Sequence, residues 1–183
     1  MIQLILGGSA SGKSFYAEQE VLSLAAGTDA QKYYLATMRD ESAEGLRRIR
    51  RHRRLRAGKG FRTVEQPADI HLALDKMAGG ERIALLECIS GLTANEMFAG
   101  AEFLPEHAVA EKIIREVGLL GEGLTHLVIV SCNVFEDGVR YDDATMEYIR
   151  AMGRIHRELA VLADRVVELA AGIPILVKGR KEP

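Results

Sequence analysis

The chain has only two cysteines, Cys88 and Cys132, with no C-x-x-C pair and no cluster of cysteine with histidine. That excludes a disulfide framework and a structural zinc site, and leaves both thiols as small apolar residues expected to be buried. Missing too is any run of about 18 apolar residues, because charges interrupt every candidate, so no segment is expected to span a bilayer. Residues Met1 to Leu6 carry no basic stretch, and their apolar run stops at Gly7-Gly8. They read as a strand rather than a secretory signal, which points to the cytoplasm. Excess charge of one sign is also absent: 24 Lys and Arg against 26 Asp and Glu leave a net charge of −2, which excludes a globally basic nucleic-acid binder. What remains, 48% hydrophobic and 27% charged residues over 183 positions, suits one soluble domain spanning residues 1–183 with a sizeable core.

Short β-branched or apolar runs alternate with longer amphipathic segments, the pattern of βαβ units around a largely parallel sheet. The runs predict strands over Ile2 to Leu6, Lys32 to Ala36, Arg62 to Glu65, Arg82 to Leu86, His126 to Val130, Arg165 to Leu169 and Ile175 to Lys178. Helices are predicted over Lys13 to Ala25, Ser42 to Arg56, Ile70 to Met77, Thr93 to Phe98, Glu106 to Leu120 and Asp143 to Ala163. Gly79-Gly80 and Gly121 to Gly123 read as turns. Ala170 to Pro174 is too short for a helical crossover, so the last two strands should form an antiparallel hairpin at one edge of the sheet.

Gly7-Gly8-Ser9-Ala10-Ser11-Gly12-Lys13-Ser14 fits G-x-x-x-x-G-K-[ST] between a predicted strand and a predicted helix. Backbone N–H groups must curl around an anionic phosphate there, which glycine permits, and the helix N-terminus adds positive potential. Lys13 is placed to reach the terminal phosphates and the Ser14 hydroxyl to take a Mg²⁺ position. The expected fold is therefore α/β of the P-loop NTPase type, a mostly parallel sheet flanked by helices with an antiparallel edge hairpin. Glu87 follows a buried strand at its carboxyl end, where ligand crevices of α/β sheets lie, and could hold the same metal or cap a helix.

Between Arg39 and Arg62 ten Lys and Arg face three acids, +7 locally against −9 for the rest of the chain. Such a field wants an anion, and at helical spacing Arg48, Arg51, His52 and Leu55 share a face. Neighbouring cations disfavour imidazolium, so His52 should be neutral and nucleophilic. Other readings of the segment are a solvated basic helix or an RNA-binding face, though few aromatics interleave to stack bases.

These features together resemble the bifunctional adenosylcobinamide kinase/adenosylcobinamide-phosphate guanylyltransferase family. The resemblance is carried by Leu6 to Ser14 with Ala17-Glu18, Tyr34 to Thr37, Glu44 and Arg48-Ile49 leading to His52 and Arg56, and Thr63 to Glu65. It continues through Leu85 to Ile89, Asn95, Val130-Ser131, Gly153-Arg154 and Gly172 to Pro174. It implies that His52 becomes covalently guanylylated, and that Ala36, Thr37, Met38, Arg53, Arg54, Leu55, Arg56, Glu65 and Glu87 bind guanine nucleotide beside the P-loop. It further implies a corrinoid substrate, GTP and/or ATP as donors, Mg²⁺ and a homo-oligomer, with no nucleic-acid partner. The later loops depart from the related pattern: N-E-V-G-x-G-x-V-P is here Cys132 to Arg140, and the final Asn of F-R-D-x-x-G-R-x-N is His156. Alternative functions are a P-loop kinase acting on another hydroxyl substrate, and a non-catalytic nucleotide-dependent RNA-binding module.

Overall fold

Apolar residues on both faces of consecutive positions set the architecture. Leu4 and Ile5, Leu85 and Leu86, and Val128 and Ile129 are all fully buried, yet each pair divides between two separate core clusters. A strand buried on both faces needs cover on both, and a parallel sheet between helical layers supplies it. Each such side chain contributes about 1.5–3 kcal/mol on leaving water. The structure is a computed structural model that describes residues 1–39, 47, 50, 53, 54, 56–100, 102–133 and 138–180.

Seven strands form one sheet: β1 (Ile2–Gly7), β2 (Gln31–Ala36), β3 (Phe61–Glu65), β4 (Arg82–Glu87), β5 (His126–Val130), β6 (Arg165–Ala170) and β7 (Ile173–Lys178). Their order is β3-β2-β4-β5-β1-β6-β7, parallel throughout except for antiparallel β7. Helix α1 (Lys13–Leu24) covers one face through Ala17 and Val21. The other face carries α2 (Ile89–Met97), α3 (Glu106–Glu122), α4 (Asp143–Leu162) and a 3₁₀ helix (Ile70–Lys76). Among the described residues no helix is long and apolar enough to cross a membrane.

Four local features differ from expectation. Helix α2 starts at Ile89, four residues before the predicted Thr93, despite the poor helix former Gly91. A Cβ at Gly91 would lie 3.2 Å from Thr37 Oγ1, so glycine there serves close packing of α2 on the end of β2. The predicted helix at Ile70 is a 3₁₀ helix. Helix α3 runs on through Gly121 to Glu122, and only Gly123 of the predicted glycine turn caps it. The hairpin loop contracts to Ala171-Gly172, with φ of 49° and 83°, the signature of a two-residue type I′ turn. Pro174 consequently lies inside β7, tolerated because that strand is at the sheet edge.

On the helical side, Lys112 Nζ lies 2.7 Å from Asp69, 2.5 Å from Glu96 and 3.9 Å from Glu116, tying the turn before the 3₁₀ helix to α2 and α3. Burial works against its charge, but the hydrogen bonds to Asp69 and Glu96 hold its pKa above the ordinary lysine value.

Candidate active site

Because six strands are parallel, β1, β2 and β4 all present their carboxyl ends at one edge of the sheet. The loop leaving β1 there is the predicted P-loop. Gly7 has φ of 151°, and a Cβ on it would come within 2.6 Å of Leu169 O, so only glycine fits. Gly12, with φ of 91°, caps α1, whose first N–H groups have no partner inside the helix. Lys13 is buried, its ammonium donating to Gly8 O across the loop at 2.5 Å.

The Ser14 hydroxyl donates to Glu87 Oε1, and the Tyr34 hydroxyl donates to Glu87 Oε2 at 3.2 Å. One carboxylate at the end of β4 thus collects a donor from α1 and another from β2. Serine and carboxylate oxygens form the hard donor set that Mg²⁺ prefers. Tyr34 is itself enclosed: burial, then the Glu87 charge, pushes its pKa above the ordinary phenol value. Over its ring lies the Arg56 guanidinium, 3.3 Å from the centroid.

Arg56 is only 7% exposed, and its Nη1 has no hydrogen-bond partner among the described residues. It lines a pocket of about 410 Å³ with Arg53, Gly58, Gly60, Phe61 and Thr63. Lys59, pairing with buried Glu18 on α1, ties down the turn that forms one wall. Arg53 pairs with Glu65 at 2.5 Å on the surface, where an ion pair contributes little. Arg54 is exposed. Arg47, Arg50, Arg53, Arg54 and Arg56 are helical, in line with the predicted basic helix. His52, Leu55, Arg48 and Arg51 lie outside the described residues.

Of the residues expected from β2, Thr37 is fully buried and its hydroxyl is spent within the protein. It accepts from Cys88 N at 2.8 Å and donates to Cys88 O at 2.9 Å, so its side chain is not free to meet a ligand. Asn95 holds that backbone, donating to Thr37 O at 2.6 Å and Pro67 O at 2.9 Å. Ala36 O accepts from Gln66 N, and Met38 is exposed at the rim. Cys88 and Cys132, expected to be buried, are both partly exposed, since they follow the strand ends at the crevice instead of lying within the sheet. Beside them the Ser131 hydroxyl and His156 Nε2 are 2.6 Å apart.

A family profile described as cobinamide kinase / cobinamide phosphate guanyltransferase matches residues 3–177. The chain belongs to this enzyme family. Over 181 residues it is 32% identical to the bifunctional adenosylcobalamin biosynthesis protein CobP of Pseudomonas aeruginosa, covering 98% of each chain. It is 29% identical to the bifunctional adenosylcobalamin biosynthesis protein CobU of Salmonella typhimurium and 27% to that of Escherichia coli, covering 97% of this chain and all of each relative. In fold it is similar to a solved ATPase domain, with a TM-score of 0.51 at 11% identity over all of this chain and 78% of that one.

Within this member of the family, sequence reasoning assigned no part to Tyr34, Glu18 or Lys59. Tyr34 stands in the stretch that carries the resemblance, but nothing in its spacing shows that its hydroxyl reaches an acid 53 residues on.

Proposed function

We propose that this chain phosphorylates the side-chain hydroxyl of adenosylcobinamide and then transfers GMP from GTP to the new phosphate, as a step of adenosylcobalamin synthesis. What carries the reading is the match of the family over residues 3–177, together with the Ser14 and Glu87 contact beside Lys13. In the first reaction the corrinoid hydroxyl oxygen bonds to the γ-phosphorus, the bond to the nucleoside diphosphate breaks, and the hydroxyl proton is released. Lys13 and the P-loop N–H groups hold the phosphates and offset charge on the transferred group. Ser14 and Glu87 would hold Mg²⁺, which when bound would supply further neutralisation of the phosphate oxygens.

In the second reaction a ring nitrogen of His52 bonds to the α-phosphorus of GTP and pyrophosphate leaves. The corrinoid phosphate oxygen then displaces the imidazole and takes the GMP. Arg53, Arg54, Leu55, Arg56 and Glu65 serve the guanine nucleotide in this scheme. The unpartnered Arg56 Nη1 in a basic pocket supports an anionic ligand there. The chain works as a homo-oligomer in this reading, supported by the exposed apolar row Ile173, Ile175 and Val177 on the edge strand β7.

Incubation with adenosylcobinamide, ATP, GTP and Mg²⁺ should convert the corrinoid first to its phosphate and then to the GDP derivative, read by mass spectrometry. Unchanged corrinoid in the presence of bound nucleotide would reject the function.

A further inference from the structure

A carboxylate that is to meet a metal on one side must be held from the other. Glu87 ends a strand whose neighbours are fixed by register: Glu87 is paired with Ala36 of β2 and with Val130 of β5. Its backbone is therefore fixed, while its side chain still has freedom to rotate. Its Oε1 is engaged by Ser14, and Tyr34 donates to Oε2 from two residues before Ala36. Tyr34 is almost fully buried, so water cannot replace its hydroxyl cheaply. Its own ring is clamped by the guanidinium of Arg56 on one face, and its Cα partners are Thr63 of β3 and Leu85 of β4.

We propose that Tyr34 is a positioning residue for the P-loop site: by binding Glu87 Oε2 it turns Oε1 toward Ser14, and so sets the geometry in which a divalent cation is held. This rests on the reading of Ser14 and Glu87 as the metal-holding pair. Since Arg56 also lines the basic pocket, the chain Arg56, Tyr34, Glu87 joins that pocket to the P-loop through side chains alone.

The test uses Mn²⁺ as a paramagnetic probe, titrated into the full chain with a non-hydrolysable ATP analogue and read by electron paramagnetic resonance. Tyr34→Phe keeps the ring and the Arg56 stack and removes only the hydroxyl. Mn²⁺ affinity should fall about tenfold, the effect of one hydrogen bond to a charged group, while analogue binding in chelator stays as in wild type. Replacement of Tyr34 by p-aminophenylalanine, which restores a donor at the same place, should recover most of the affinity. That second protein also carries the test if the phenylalanine variant does not fold. Unchanged Mn²⁺ affinity in Tyr34→Phe, alongside a loss in Glu87→Gln, overturns the role of Tyr34 alone. Unchanged affinity in Glu87→Gln and Ser14→Ala as well overturns the metal-holding pair and this proposal with it.

Discussion

Ser14, at the start of α1, donates its hydroxyl to Glu87, at the end of β4, across 73 residues of sequence and one intervening strand. The contact places a neutral oxygen and an anionic one side by side at the mouth of the phosphate loop. Glu87→Gln keeps size and hydrogen bonding but removes the charge. The Mg²⁺ concentration for half-maximal kinase activity should rise about tenfold or more, with nucleotide affinity in chelator unaltered. An unshifted Mg²⁺ titration would leave Glu87 as a structural acceptor for Ser14 and Tyr34.

Lys13 opens α1, and its ammonium already donates to Gly8 O of the loop. Lys13→Ala should lower kinase turnover by roughly 10²- to 10³-fold, the scale of losing one preorganised charge at a developing anion. Its melting midpoint should stay near wild type. Turnover close to wild type in a folded variant would remove the P-loop from the reaction.

His52 carries the guanylyl transfer in the proposed scheme. Labelled GTP and Mg²⁺, with no corrinoid present, should leave an acid-labile, base-stable GMP adduct on the wild-type chain and none on His52→Ala. A wild-type chain that stays unlabelled would confine the enzyme to its kinase half.

His156 offers a pH dependence that the related pattern lacks. Burial lowers its pKa from the ordinary 6.5 to about 4, so the folded chain holds it neutral while the unfolded chain protonates it near 6.5. Stability contributed by the neutral form is full above pH 6.5 and is lost as the pH falls toward 4, by roughly 3 kcal/mol at most. His156→Asn, the residue of the related pattern, can still meet the Ser131 hydroxyl but does not titrate. Melting curves between pH 7 and 4.5 should fall less steeply for that variant; parallel curves would show that other groups govern the acid limb.

The sequence by itself determined the elements whose signals are local. Gly7 to Ser14 announces its turn, its helix start and its phosphate chemistry within eight residues, because each depends on neighbours along the chain. The continuous apolar runs at Leu4-Ile5 and Val128-Ile129 disclosed strands buried on both faces, hence a parallel sheet between helices. Only the tertiary structure decided which strands are neighbours, since a run reports that it is buried and not what it is buried against. The order β2-β4-β5-β1 brings Tyr34, Glu87 and Ser14 together, and no periodicity in any of the three segments encodes that meeting. The same holds for Gly91, which reads as a weak helix residue until Thr37 is found 3.2 Å from where its side chain would begin. Pro174 too reads as a strand breaker until β7 proves to be an edge, where a missing N–H costs nothing.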